Sequence, residues 1–117
     1  MIRLLDYLGE SKCYVLGYDW GGGVALELGL RHPSRINGIV AWNASHRDND
    51  NNLVTLSKSK MAKEQKLKVV WDPHPSYHPL KNGQRISTRL GVDLIIVSNK
   101  LNNVTKVIIE ELISMIK

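Results

Sequence analysis

The residues best suited to chemistry lie in a glycine-rich segment at positions 17–22, with the sequence Gly-Tyr-Asp-Trp-Gly-Gly. It follows a short apolar run at 13–16 and precedes a run of apolar residues at helical spacing. Two glycines that flank a central nucleophile, between a strand and a helix, are typical of a sharp turn that exposes the central side chain. That residue is Asp19, so the nucleophile would be a carboxylate.

The geometry of such a turn explains the types of residue around Asp19. Gly17 and Gly21 leave room for a strained turn, because larger side chains would collide with the strand and the helix. The positive end of the following helix favours an ionised carboxylate, and the backbone N–H of Trp20 would point at a developing oxyanion. Glycine-rich turns also bind phosphates, but 17–22 lacks the spacing of the dinucleotide motif, and its aspartate would repel a pyrophosphate.

Strands and helices alternate around this turn. The segments expected to be strands are short and rich in Val, Ile and Leu, without polar alternation, as is typical of parallel strands covered on both faces. They are 13–16, 36–42, 67–71 and 93–97. Helical spacing is found at 2–9, 21–32, 80–90 and 103–116, and more weakly at 53–65. We expect a polar loop at 45–52 and a rigid, proline-rich loop at 72–79. The sequence predicts one α/β domain over residues 1–117, with about four parallel strands and flanking helices.

Composition narrows the class of protein. The 117 residues are 43% hydrophobic and 23% charged, as in a globular domain, and no apolar run is long enough to span a bilayer. Arg3, Asp6 and Glu10 interrupt any apolar leader, and the lone Cys13 forms no internal disulfide, so we expect a cytoplasmic protein without membrane partners. The net charge is +5, but no aromatic residues interleave with the lysines of 58–68, so we expect a solvated basic face without nucleic acid.

The segment 17–42 carries a specific resemblance. After the turn and the helix, residues 31–36 read Arg-His-Pro-Ser-Arg-Ile and lead into a strand. The sequence of segment 17–42 is similar to that of the epoxide hydrolase and haloalkane dehalogenase branch of the α/β-hydrolase fold. The resemblance implies that Asp19 attacks carbon of a small-molecule substrate, giving an ester that a histidine-activated water hydrolyses. It also implies that Trp20 supplies an oxyanion N–H and, in dehalogenases, an indole N–H for the halide. No cofactor and no metal are implied.

The resemblance also suggests where the remaining catalytic groups lie. In this family the catalytic acid follows the third of these strands, in a motif similar to Trp-Gly-x-x-Asp-Pro. The sequence Trp71-Asp72-Pro73 matches the ends of that motif if three residues are missing, so Asp72 is the expected acid. Some dehalogenases place the acid after the second strand, where this chain has the amide Asn43. The family histidine is expected at 98–103, which contains none.

Four histidines lie elsewhere in the chain. His74 and His78 lie beside Asp72, and one of them could substitute for the family base, although loop histidines are usually plain surface residues. His32 and His46 could also approach the turn. A metal site at Asp72, His74 and His78 is not expected, because prolines at 73, 75 and 79 prevent the helix that the spacing of the histidines requires.

The resemblance further implies a partial fold, whose four strands are the fifth to eighth of the family sheet. Residues 45–66 are too few for a full lid over the site. One sheet edge, beside the strand that leads to Asp19, would be uncovered, which predicts homo-oligomers through that edge. The alternative to an enzyme is therefore a truncated or degenerate, non-catalytic relative that acts by binding or oligomerisation. Nucleic-acid or membrane-surface binding through the basic charge is a third, weaker hypothesis.

Overall fold

The computed structural model describes residues 2–46, 50–74, 77–97 and 101–116, with the backbone alone for Asp50 and 101–103. Within these ranges four strands form one parallel sheet in the order β1-β2-β3-β4. Pairing of Tyr18 with Trp42, and of Trp71 with Ile96, aligns the carboxyl ends of the strands. The strands are β1 at Cys13–Tyr18, β2 at Ile36–Trp42, β3 at Leu67–Trp71 and β4 at Leu94–Ile96.

Helices cover both faces of this sheet. They are α1 at Ile2–Leu8, α2 at Trp20–Arg31, α3 at Asp50–Ser57, α4 at Lys60–Lys63, α5 at Leu80–Leu90 and α6 at Leu101–Ile116. On one face, residues from α2 to α5 pack with Ile39, Val69 and Trp71. On the other face, α6 packs with Val40 and Val70. Because neighbouring strand residues face different cores, both must be apolar, which explains why the strands lack polar alternation.

The first helix is joined to the start of β2 by one arginine. The guanidinium of Arg35 donates to the carboxylate of Asp6 at 2.6 Å and to the carbonyl of Glu10 at 3.2 Å. These bonds fix α1 beside the amino end of the sheet, opposite the end where Asp19 lies.

The structure confirms the predicted α/β architecture with parallel strands, and several element bounds agree with the prediction. β2, β3 and α5 have the predicted limits, whereas β1 extends two residues further and β4 is shorter. Two expectations were wrong. The predicted loop 45–52 ends earlier, because α3 begins at Asp50, and its residues 47–49 lie outside the described ranges. The weak helix over 53–65 is two helices, since Ser59 caps α4 by accepting from the Ala62 N–H at 3.2 Å.

Among the described strands β1 and β4 are the two edges of the sheet, and β1 has β2 on one side. Its Leu16 and Tyr18 are 46% and 50% exposed, a large fraction for apolar and aromatic strand residues. None of the helices within the described ranges combines the length and the apolar character that crossing a bilayer requires.

Candidate active site

Asp19 forms a one-residue turn between β1 and α2. Its φ of 56° and ψ of −117° lie in a region that side chains with a Cβ rarely adopt. Such a conformation costs about 1–3 kcal/mol and persists only where the surroundings enforce it. The turn leaves Asp19 half-buried at the amino end of α2.

Backbone hydrogen bonds enforce this turn. The Asp19 N–H donates to the carbonyl of Trp42 at 3.0 Å, which extends the pairing of β1 with β2 by one residue. The Asp19 carbonyl accepts from the N–H of Gly22 at 3.0 Å and from that of Ser45 at 2.8 Å. The turn is therefore held by its own helix and by the segment that follows β2.

Close packing explains some of the glycines, though not all that the sequence indicated. A Cβ on Gly17 would lie 2.2 Å from the carbonyl oxygen of Gly21, so position 17 accepts no side chain. A Cβ on Gly23 would lie 2.1 Å from the Ser45 carbonyl oxygen. The expectation that Gly21 also supplies room was wrong, because a Cβ there has no neighbour within 4 Å among the atoms compared.

A cleft of about 900 Å³ opens at the carboxyl ends of the strands, which is where α/β proteins bind ligands. All three residues expected at the site, Asp19, Trp20 and Asp72, line it. The other lining residues come mainly from the segment after β2, the loop after β3 and the start of α5: Tyr18, Asn43, Ala44, Ser45, His46, Trp71, Pro73, His74, Tyr77, His78, Asn82 and Arg85.

Asn43 fixes the position of Asp72. Its side-chain amide donates to the Asp72 carbonyl at 3.0 Å and accepts from the Asp72 N–H at 2.8 Å. Asn43 is buried, at 4% exposure, and its own φ is 46°. Sequence reasoning considered this residue only as an amide that cannot act as the acid. The structure shows that it ties the end of β2 to the start of the loop after β3.

A second polar pair lies beside the turn. The buried His46 Nε2 and the Glu27 Oε1 are 3.0 Å apart, and Arg85 donates to the His46 carbonyl. Burial by itself raises the pKa of Glu27, but hydrogen bonds from His46, Asn52 and Arg31 outweigh it and leave that pKa below its ordinary value. This pair, which no local sequence pattern indicated, anchors the segment that carries the Ser45 N–H.

The proline-rich loop after β3 is ordered around two histidines where it is described. The backbones of His74 and His78 form an antiparallel bridge, with N–H to carbonyl distances of 2.8 and 2.9 Å. The His78 ring lies 5.9 Å from the ring of Tyr18 and 6.2 Å from that of Trp71. Across the described part of the chain, no group of three His, Cys, Asp or Glu residues is placed to hold a metal ion.

Trp20 is the first residue of α2, so its N–H has no carbonyl acceptor within that helix and is available to a ligand. Its side chain is 72% exposed, so an indole-bound halide here would be open to water. Part of the stretch where a family histidine is expected, 98–100, lies outside the described residues, as do the side chains of 101–103.

The sheet, the strained turn and the cleft together define the class. A family model for the alpha/beta hydrolase fold matches residues 1–70, more than half of the chain. The chain therefore belongs to the α/β-hydrolase fold family.

Individual relatives are similar over shorter stretches. Epoxide hydrolase 4 of Mus musculus is 40% identical over 43 residues, 37% of this chain, and homoserine O-acetyltransferase of Thermus thermophilus is 47% identical over 45 residues, 38% of the chain. These matches span only 12% of each relative.

Solved structures extend the likeness of fold to nearly the whole chain. A CIB-like hydrolase from Thermoplasma acidophilum superposes with a TM-score of 0.73 at 21% identity, over 97% of this chain and 54% of its own. A hydrolase from Pseudomonas aeruginosa gives 0.66 at 15% identity, over 98% and 68%. At these identities the superpositions establish the fold alone.

Proposed function

We propose that this protein hydrolyses a small molecule at an epoxide, carbon–halogen or related bond, with Asp19 as the nucleophile. The observation that carries the proposal is the turn itself. A carboxylate occupies the strained residue between β1 and α2 and lines a cleft. Strain of this kind is characteristic of functional sites. The similarity to Epoxide hydrolase 4 supports an epoxide as the substrate.

The first chemical step is attack by an Asp19 carboxylate oxygen on the electrophilic carbon. A carbon–oxygen bond forms, and the bond to the epoxide oxygen or halogen breaks. Its electron pair leaves on the alkoxide or halide, and an alkoxide then takes a proton from water. The product of this step is an ester of Asp19.

The second step is hydrolysis of that ester. Water adds to the ester carbonyl, and the N–H of Trp20 donates to the oxyanion that forms. When the tetrahedral intermediate collapses, the acyl C–O bond breaks and the alcohol leaves with one proton of the attacking water. The other proton passes to solvent, which restores the Asp19 carboxylate. We assign Asp72 as the acid of the site, and its anchoring by Asn43 supports that role. The single Cys13 supports a reducing, cytoplasmic setting for this activity.

Intact-protein mass spectrometry after incubation with styrene oxide and with 1-bromobutane tests the proposal. We expect a mass increase equal to one opened epoxide or one alkyl group, located on Asp19 by peptide mapping. The Asp19→Asn variant is the matched control, because it keeps the size of the side chain and removes the charge. Equal labelling of both proteins, or no label and no product across a panel of epoxides and haloalkanes, would contradict it.

A second candidate function is favoured by a different observation. β1 is an edge strand whose Leu16 and Tyr18 are about half exposed, so another strand could pair with it. Under this alternative the chain is non-catalytic and acts by association, most simply with a second copy. Sedimentation velocity distinguishes the two: self-association that Leu16→Lys abolishes, without any ester on Asp19, would favour the binding function. A monomer that forms the ester would dispose of it.

A further inference from the structure

The second step of the proposed reaction requires a base, because water must lose a proton as it attacks the ester. Histidine is the side chain that titrates closest to neutral pH, and it is the usual base in such steps. The chain has four histidines, and all of them lie in described ranges.

Two of the four are poorly placed for this role. His32 is exposed and lines a separate pocket of about 350 Å³ along α2, which Asp19 and Asp72 do not line. The side chain of His46 is only 3% exposed, and its Nε2 is bonded to Glu27. Its Nδ1 is also enclosed, without a hydrogen-bond partner among the described residues, so a substrate water does not reach it.

The two histidines of the proline-rich loop differ in what their rings contact. The ring of His74 is exposed and stacks on Tyr77 at 4.6 Å, and Tyr77 is itself 75% exposed. The ring of His78 is half-buried between Tyr18 and Trp71. His74 therefore lies at the outside of the loop and His78 at its inner side.

His78 contacts the residues that precede the proposed nucleophile and the proposed acid. Tyr18 immediately precedes Asp19, and Trp71 immediately precedes Asp72. The His78 ring therefore lies near the carboxyl ends of β1 and β3, and Asp19 and Asp72 line the same cleft as His78.

The backbone of His78 is also fixed. Its N–H donates to the His74 carbonyl at 2.9 Å, and its carbonyl accepts from the His74 N–H at 2.8 Å and from the Trp71 Nε1 at 3.1 Å. Pro79 follows it and restricts the residue before it. A general base needs this kind of preorganisation, because a proton transfer depends on fixed geometry.

We infer that His78 is the general base that activates water against the ester on Asp19. The inference rests on the proposed function and assigns its second step. His78 takes one proton from water as the hydroxide oxygen bonds to the ester carbonyl carbon. When the acyl C–O bond breaks, the departing alkoxide receives that proton back from His78. The net change is ester plus water to carboxylic acid plus alcohol, with His78 regenerated. The Asp19 acid then releases its proton to solvent and becomes a carboxylate again.

A trapping experiment with His78→Gln tests this inference. The first step does not need the base, so the variant should form the Asp19 ester from styrene oxide and retain it, whereas wild type turns it over. We expect the steady-state rate to fall by about 100-fold or more, and intact mass spectra should show the ester as the main species. His32→Gln is the control and should keep wild-type turnover. His74→Gln tests the neighbouring histidine of the same loop.

The outcomes separate this inference from the proposed function. If wild type forms an ester that no variant accumulates, or if His74→Gln traps it and His78→Gln does not, Asp19 remains the nucleophile and the inference is overturned. An ester that wild type still carries after the substrate has been removed also overturns it, since no base is then acting. If both His78→Gln and His78→Asn fail to form the ester that wild type forms, His78 maintains the turn rather than activating water. Absence of any ester or product in wild type contradicts both the function and the inference.

Discussion

The two sides of the cleft are built in different ways. On one side, β1, Asp19 and α2 follow one another in the sequence, and Gly17 and Gly21 are in close contact, although Trp42 and Ser45 also hold the turn. On the other side, the loop after β3 is fixed by contacts that include a residue distant in the sequence, since Asn43 holds Asp72 from the end of the neighbouring strand β2. The residues that form the first side are consecutive in the sequence, whereas those of the second are brought together by the folded sheet.

This difference explains what the sequence could reveal about the site. A local turn leaves a readable pattern of glycines around one aspartate, and that pattern predicted the place of Asp19 between a strand and a helix. The anchoring of Asp72 by Asn43 leaves no such pattern, because the sequence around position 43 does not indicate the backbone groups with which the Asn43 amide forms hydrogen bonds. Substitutions on the two sides should therefore differ in size and kind.

The largest expected effect is at Gly17 on the first side of the cleft. Gly17→Ala should lower the free energy of unfolding by about 3 kcal/mol or more, because its Cβ would lie 2.2 Å from the Gly21 carbonyl oxygen. Gly21→Ala should instead leave stability unchanged or raise it by up to about 1 kcal/mol, since that helical position is open. Urea unfolding followed by circular dichroism measures both. Similar losses at the two positions would show that the packing of the turn is described wrongly.

On the other side of the cleft, Asn43 should stabilise the fold in two ways that can be separated: by its hydrogen bonds to Asp72 and by its tolerance of a positive φ. Asn43→Gly removes both hydrogen bonds to Asp72 and should cost about 1–2 kcal/mol of unfolding free energy. Asn43→Ala should cost about 1 kcal/mol more, because alanine is strained at a φ of 46°. If alanine is tolerated as well as glycine in the same urea titration, the positive φ of Asn43 is not a constraint.

A glycine substitution at Asp19 should reveal backbone strain in the turn. Asp19→Gly should raise the free energy of unfolding by about 1 kcal/mol, because glycine relieves a φ of 56° and the relief exceeds its greater chain entropy. Asp72→Gly is the comparison, since Asp72 has no positive φ, and it should not stabilise the protein. A loss of stability in Asp19→Gly would mean that the turn is not strained.

The smallest effect is the pH dependence of the pair beside the turn. The folded pKa of Glu27 is lowered, so the stability it contributes is present above its unfolded pKa, about 4.3, and is lost as pH falls through the lower folded value. The melting temperature of wild type should therefore exceed that of Glu27→Gln at pH 7, and the difference should shrink on acidification below pH ~4. A difference that stays constant from pH 7 to pH 3 would contradict this assignment.

The same distinction between local and distant information applies to the fold. The apolar runs at 36–42 and 67–71 predicted β2 and β3 with correct limits, because both strands are covered on both faces. The start of α3 was missed, since Asp50, Asn51 and Asn52 are weak helix formers. The Glu27–His46 pair was missed for another reason: its members belong to elements that meet only after the sheet has formed.

A single turnover in water enriched in oxygen-18 tests most directly whether Asp19 is the nucleophile. If an ester forms, the oxygen of the attacking water enters the Asp19 carboxyl group before it can reach a product. With protein in excess over the epoxide, the peptide carrying Asp19 should gain one heavy oxygen, while the first diol released should contain none. Heavy oxygen in the first diol and none in that peptide would mean that water attacks the substrate directly, and Asp19 would then not be a nucleophile.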